Sequence, residues 1–136
     1  MNYAEISKET ISFLEQCSAS LNNSPLNQSV RVLVELRISQ MNGCAYCCRL
    51  HSEEARKLHI SQEKLDVLPV WYTSQSFTSE EKAALQWCES VTRLDKDLEK
   101  IRKQLLQYYT ERQIVDLTAC IAIMNAWNRI AVGLKE

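Results

Sequence analysis

Glycine and proline are scarce in this chain, which has two of each among its 136 residues. A β-protein with many tight turns needs more of both, because these two residues supply the backbone dihedrals of turns. A helical chain needs few of them, so the composition favours an all-α fold. The length suits a single domain over residues 1–136, because domains commonly contain about 100 to 150 residues.

The sequence also lacks a long apolar run and an excess of charge of one sign. Its longest uninterrupted apolar run, Ala119 to Met124, is far too short to cross a bilayer. The 16 basic residues stand against 17 acidic ones, which leaves a net charge of −1. Because a nucleic-acid-binding domain usually needs a basic face, we expect neither a nucleic acid nor a membrane as a partner.

The N-terminal segment lacks the basic and apolar regions of a signal peptide, so we expect a cytoplasmic protein. Its 6 cysteines are too few to build a disulfide scaffold for a chain of this size. In a reducing cytosol, thiols are usually buried, catalytic or bound to a metal. The cysteines therefore need to be interpreted by their positions.

Apolar periodicity and end signals predict a bundle of about six to seven helices. Ser24 is the expected N-cap of the second helix, with Pro25 as its first residue. Thr78 and Thr110 each begin a capping-box pattern, which opens a helix. The predicted helices cover approximately residues 3–21, 25–41, 44–58, 61–68, 78–94, 98–108 and 110–134.

The most informative motif is a Cys-x-x-Cys pair at a predicted helix start, formed by Cys44 and Cys47 and followed by His51. Exposed N–H groups and the helix dipole at such a start stabilise a thiolate and lower the pKa of a cysteine. His51 lies one helical turn beyond Cys47 on the same face, so its imidazole can take the thiol proton. The three-residue offset brings the two sulfurs within bridging reach, so we expect oxidation to join Cys44 to Cys47. The motif indicates redox chemistry or peroxide reduction.

Two other interpretations of the cysteines compete with redox chemistry. A Cys-x-x-Cys pair with a nearby His can bind zinc, but a closed structural site needs a fourth ligand, most often from a second spaced pair. No second pair exists, because Cys17, Cys88 and Cys120 stand alone within apolar stripes, where we expect them to fill core space. The preceding Gly43 and the following His argue against a mere packing role for the pair. Cys48 lies about 100° around the helix from the second cysteine of the pair and is expected to pack, with competition as a resolving thiol as the alternative.

The stretch from Leu36 to Cys47, together with His51, closely resembles the AhpD-like branch of the carboxymuconolactone decarboxylase family. Members of that family are all-helical, form homo-oligomers and are associated with thiol-dependent reduction of hydroperoxides, and the resemblance implies the same properties here. The decarboxylase branch lacks the Cys pair, so its reaction is the less favoured one. The resemblance covers about residues 26–133 and continues through Trp71, residues 77–85 and residues 125–129.

The chain departs from the family pattern at one position that matters for proton transfer. Relatives of this kind usually carry a Glu twelve residues before the first Cys of the pair, and that position is Val32 here. The nearest acid on the same helix is Glu35, one short turn later and about 4.5 Å along the helix axis. Glu35 is expected either to replace the missing carboxylate in part, by orienting His51, or to be a solvated or ion-paired helix residue.

The motif and the resemblance together predict a thiol-dependent (alkyl)hydroperoxide reductase with an antioxidant role. Cys47 is the expected attacking thiolate, Cys44 the resolving thiol, His51 the base and Glu35 its orienting carboxylate. The expected partners are a hydroperoxide substrate and an external dithiol that reduces the disulfide by exchange. The chain has no glycine-rich phosphate loop, so we expect no nucleotide cofactor, and we expect no metal.

The last predicted helix indicates how the protein assembles. Its segment from Leu117 to Met124, within the helix that runs from Ile114 to Ile130, is apolar around more of its circumference than a helix exposed on one face requires. We therefore expect a homo-oligomer built partly from this helix. The alternative to the enzyme as a whole is a non-enzymatic helical module whose Cys pair binds zinc or senses oxidation.

Overall fold

The structure, a computed structural model, describes residues 1–134 as a set of helices with no strand among them. The all-α prediction is therefore confirmed. Two 3-10 helices, Leu21–Asn23 and Leu68–Thr73, supplement the α-helices. The α-helices are α1 (Tyr3–Ile6), α2 (Lys8–Ser20), α3 (Gln28–Met41), α4 (Ala45–Lys57), α5 (Gln62–Asp66), α6 (Ser79–Arg93), α7 (Leu98–Leu105) and α8 (Glu111–Gly133).

Helix α3 is the centre of the bundle and packs against α4, α6 and α8. Its apolar residues recur on several sides rather than in one stripe, which is the pattern of a helix surrounded by protein. The three neighbours cover it so completely that even two polar residues are buried. The buried residues of α3 are Val30, Val32, Leu33, Val34, Glu35, Leu36, Ile38 and Ser39.

Helix α8 buries one face against the bundle and leaves some of its apolar residues exposed. Ile114, Leu117 and Ile121 lie in the core, whereas Val115 and Val132 are 63% and 50% exposed. The wide apolar circumference expected from the sequence is thus divided between the core and the surface. Across residues 1–134, none of the helices combines the length and the apolarity needed to cross a membrane.

The start of α3 differs from the sequence prediction. The N-cap is Asn27, whose side chain accepts hydrogen bonds from the backbone N–H groups of Ser29 and Val30 at 2.8 and 3.4 Å. The expectation that Ser24 caps this helix is wrong, because the Ser24 hydroxyl donates to Asp116 on α8 at 2.6 Å instead. Both predicted capping boxes, at the starts of α6 and α8, are confirmed.

The corner between α3 and α4 sets the position of the Cys pair. Helix α3 ends at Met41, and Gly43 adopts a left-handed φ of 67°, a conformation that most other residues avoid. The chain then turns directly into α4, whose N-cap is Cys44. The Cys44 sulfur accepts a hydrogen bond from the backbone N–H of Cys47 at 3.3 Å.

A cluster of amide side chains fastens this corner to α8. The Asn42 side chain donates to Asn125 and to Asn128, at 3.0 Å in each case. Asn128 is fully buried and in turn donates to Ser39 on α3 at 3.2 Å. Because buried polar groups are costly unless they are paired, this network fixes one orientation of the corner.

Candidate functional site

A disulfide joins Cys44 and Cys47, whose Cα atoms are 5.3 Å apart. The pairing expected on oxidation is therefore the one observed. The two sulfurs differ in their surroundings, because Cys47 lines a cavity, whereas Cys44 is outside that lining. The pair thus presents one cysteine to anything bound in the cavity and keeps the other behind it.

The cavity has a volume of about 580 Å³ and lies where α3, α4 and α8 meet. Its reactive groups are concentrated on one face of α4, because Cys47, His51 and Glu54 follow each other at helical spacing. Side chains from α3, α8 and the N-terminal segment of α1, α2 and the first 3-10 helix close the other sides. The main apolar walls are Val32, Leu50, Leu58, Ile123, Met124 and Trp127.

His51 is buried and held by two carboxylates. Its Nδ1 lies 2.7 Å from Glu54 Oε2 and 3.6 Å from Glu35 Oε2. A carboxylate accepts hydrogen bonds, so the ring hydrogen is assigned to Nδ1 and is directed to Glu54. This assignment leaves Nε2 as the atom of the neutral imidazole that can accept a proton.

Glu35 belongs to this site rather than to the solvent. It is only 6% exposed, and its Oε1 accepts hydrogen bonds from Arg31 Nε at 2.9 Å and from the Cys120 thiol at 3.6 Å. Val32, at the position of the family glutamate, lines the same cavity. Glu35, one turn further along α3, therefore reaches the imidazole of His51. A carboxylate at position 32 is expected to turn to the same imidazole.

Three groups of the site were missed from the sequence. Glu54 was detectable, because it follows His51 by three residues and so lies beside it on a helix. Arg31 was detectable in the same way, because it precedes Glu35 by four residues on α3. Cys120 carried no comparable signal, since only the packing of α3 against α8 brings its thiol to Glu35. Burial, followed by the charge of Glu35, raises the pKa of Cys120 and keeps it a neutral thiol that can donate.

The four cysteines outside the disulfide differ in how far they are buried. Cys88 and Cys120 are in the interior as expected, and burial raises the pKa of the Cys88 thiol. The core position expected for Cys17 is wrong, because this residue is exposed on α2. Cys48 is half-buried against the hydrophobic core, as expected for a packing residue, and burial raises its pKa.

Two curated relatives share much of this sequence. The uncharacterized protein YdfG of Bacillus subtilis (strain 168) is 32% identical over 136 residues, which cover 98% of this chain and 92% of YdfG. The uncharacterized protein YnjA of Escherichia coli (strain K12) is 35% identical over 104 residues, which cover 75% of this chain and 57% of YnjA.

Two solved structures share the fold. A protein of unknown function from Agrobacterium tumefaciens, named only as a candidate antioxidant defence protein AhpD, has a TM-score of 0.94 at 31% identity. The match covers 100% of this chain and 94% of that protein. An uncharacterized peroxidase-related protein from Silicibacter sp. TM1040 has a TM-score of 0.82 at 21% identity, over 92% of this chain and 68% of that one, and shows the fold alone.

The family assignment depends on the region that contains the site. The model of the carboxymuconolactone decarboxylase family matches residues 9–90, a range that includes Glu35, the Cys pair, His51 and Glu54. With its AhpD-like helical fold, this chain belongs to the carboxymuconolactone decarboxylase family.

Proposed function

We propose that the protein is a thiol-dependent reductase of organic hydroperoxides. The observation that carries the proposal is the Cys44–Cys47 pair at the start of α4, with Cys47 in a cavity that also holds His51 and its two carboxylates. The apolar walls of this cavity suit the organic part of a substrate, since apolar surface gains from leaving water.

The first step uses the reduced protein. His51 accepts the proton of the Cys47 thiol, and the thiolate attacks the terminal oxygen of the hydroperoxide. The O–O bond breaks, the sulfur becomes a sulfenic acid, and the departing alkoxide takes the proton to leave as an alcohol. The helix start assists, because its free N–H groups and dipole favour negative charge on the sulfur.

The second step regenerates the disulfide. The Cys44 thiol attacks the sulfenic sulfur of Cys47, an S–S bond forms, and the hydroxyl group leaves as water with the proton of Cys44. An external dithiol then reduces this bond by exchange and is itself oxidised to a disulfide. The N-cap position of Cys44 keeps it next to Cys47 throughout, which makes this intramolecular step favourable.

A peroxide-consumption assay with several dithiol donors tests the proposal. Reduced protein is expected to consume an organic hydroperoxide catalytically with at least one dithiol, and to prefer it to hydrogen peroxide, which leaves the apolar walls unfilled. Failure with every donor and every hydroperoxide would contradict the proposal.

Glu35 is proposed as a positioning residue for His51, and Glu35→Gln is expected to slow the reaction of Cys47 with peroxide by about 3- to 10-fold. The effect is small because Glu35 Oε2 contacts Nδ1 only at 3.6 Å, which is longer than a hydrogen bond, and Glu54 still holds Nδ1 at 2.7 Å. Glu53→Gln on the exposed side of α4 is the matched control. Rate constants measured against pH distinguish a positioning role of Glu35 from a purely structural one. A purely structural effect leaves the shape of the pH–rate profile unchanged.

We further propose that the protein is a homo-oligomer in which exposed apolar residues of α8 are covered. Exposed Val115 and Val132 support this assembly, since burying them removes apolar surface from water. Sedimentation is expected to give a mass above that of one chain, and a monomer at micromolar concentration would contradict it. The expected cytoplasmic location stays a prediction.

A further inference from the structure

Arg31 joins Glu35 to the first 3-10 helix. Its Nε donates to Glu35 Oε1 at 2.9 Å, and its Nη1 donates to Asn22 Oδ1 at 3.0 Å. Because the guanidinium is planar and its donors have fixed directions, these two hydrogen bonds hold it in one place between α3 and the 3-10 helix Leu21–Asn23. Arg31 lines the cavity, yet neither step of the proposed reaction uses it.

The hold on one oxygen of Glu35 sets the direction of the other. Oε1 is bound to Arg31, and Oε2 lies 3.6 Å from His51 Nδ1. A turn of the carboxylate away from the imidazole breaks the shorter contact with the guanidinium, which is a charge-assisted hydrogen bond. Arg31 therefore determines where the negative charge of Glu35 lies relative to the ring.

Two carboxylates beside one imidazole favour its protonated form, which is unsuited to a base. Glu54 Oε2 and Glu35 Oε2 lie 2.7 and 3.6 Å from the same ring nitrogen of His51. A nearby negative charge stabilises the imidazolium, and an imidazolium has no free nitrogen that accepts the thiol proton. The charge of Arg31 offsets that of Glu35. Their side chains are only 20% and 8% exposed, so water and salt screen the pair weakly.

The other ionisable groups of the cavity do not supply the same compensation. Burial, followed by the charge of Glu35, raises the pKa of the Cys120 thiol and keeps it neutral. Lys57 is a cation, but it is exposed, so water screens its charge. Tyrosine side chains are uncharged at neutral pH. Besides Cys47, His51 and the two carboxylates, the ionisable groups of the lining are Tyr3, Arg31, Tyr46, Lys57 and Cys120.

We propose that Arg31 is a positioning residue that acts through Glu35. It holds Glu35 Oε1 and offsets the charge of this carboxylate, so that the imidazole of His51 stays neutral until it takes the thiol proton. That proton moves from the Cys47 sulfur to Nε2, while the Nδ1 hydrogen remains directed to Glu54. The inference rests on the proposed function, because the imidazole acts as a base in that reaction.

NMR titration of the imidazole signals tests the proposal on the full chain. The chain has two histidines, and in the disulfide form Cys47 does not titrate alongside them. Arg31→Met is expected to move the titration midpoint of His51 up by about 0.5 to 1 pH unit, the effect of losing a partly screened charge that one carboxylate separates from the ring. His59 is exposed and outside the cavity lining, so its signal is the internal reference.

Three further variants separate the charge of Arg31 from its bulk. Arg31→Lys keeps the charge and is expected to restore most of the wild-type midpoint. Arg31→Met combined with Glu35→Gln removes both charges and is expected to bring the midpoint back to the wild-type value or below it. Arg49→Met is the matched control, because Arg49 is on α4 near His51 but is exposed and outside the lining. An unmoved His51 midpoint in folded Arg31→Met, or an equal rise in Arg49→Met, would overturn the proposal.

The reaction of the reduced protein with an organic hydroperoxide gives a second readout. The thiol and the imidazole together must lose a proton before the attack, and the loss of a nearby positive charge opposes this. The acid side of the pH–rate profile is expected to move up with the NMR midpoint in Arg31→Met, which slows the reaction there by about 3- to 10-fold. A wild type that consumes no hydroperoxide counts against the proposed function, whereas an unmoved NMR midpoint counts against this inference alone.

Discussion

Cys47→Ser is expected to abolish hydroperoxide consumption, because a serine hydroxyl does not attack the O–O bond and cannot form the disulfide. Cys47 is 5% exposed, and a serine side chain fits the space left by the sulfur, so the fold is expected to persist. The measurement is the loss of hydroperoxide over time with excess dithiol. The variant is expected to show only the rate of a protein-free control.

Cys44→Ser distinguishes the attacking cysteine of the pair from the resolving one. This variant is expected to complete one attack and then stop, with Cys47 trapped as a sulfenic acid that a selective chemical probe labels. Cys48→Ser is the matched control, because Cys48 is adjacent in the chain but lies outside the disulfide, so its turnover is expected to equal that of wild type. A labelled Cys44 in Cys47→Ser would show that the two roles are reversed.

His51→Ala is expected to slow the reaction of reduced protein with hydroperoxide by about 10²- to 10⁴-fold at neutral pH, the usual contribution of a positioned acid–base group. The imidazole that takes the thiol proton is lost, so less Cys47 thiolate is present at that pH. The rate of Cys47 alkylation against pH measures this directly, and the curve is expected to move to higher pH.

His59→Asn is the control for this prediction, because His59 is exposed and lies outside the cavity lining. Asparagine is chosen because the residue has a positive φ of 60°, which Asn tolerates better than Ala. The control is expected to react like wild type. An unchanged alkylation profile in His51→Ala, with its fold intact by circular dichroism, would contradict the assigned base.

Features that depend on residues close in the chain were predictable. The two capping boxes and the helix end at Asn42–Gly43 are properties of three or four consecutive residues, and all appear in the structure. The approach of Cys44 to Cys47 is equally local, because three residues at a helix start span a fixed distance. Ser24 was misread because its partner, Asp116, is 92 residues away.

The environment of His51 required the tertiary structure. A one-turn offset on α3 cannot by itself say whether Glu35 faces solvent or the imidazole, since that depends on how α3 packs against α4. The contact of Cys120 with Glu35 spans 85 residues and depends on α8 as well. Cys17 illustrates the opposite case, in which an apolar stripe predicted burial but α2 leaves that residue exposed.

The sequence by itself therefore determined the all-helical class, the sulfurs that pair and the helix start at which they lie, because short-range backbone geometry governs all three. Only the tertiary structure decided which cysteine opens on the cavity and which carboxylates reach His51. Those relations depend on how three helices from distant parts of the chain pack, and that packing is selected by the fit of their buried side chains rather than by any local pattern.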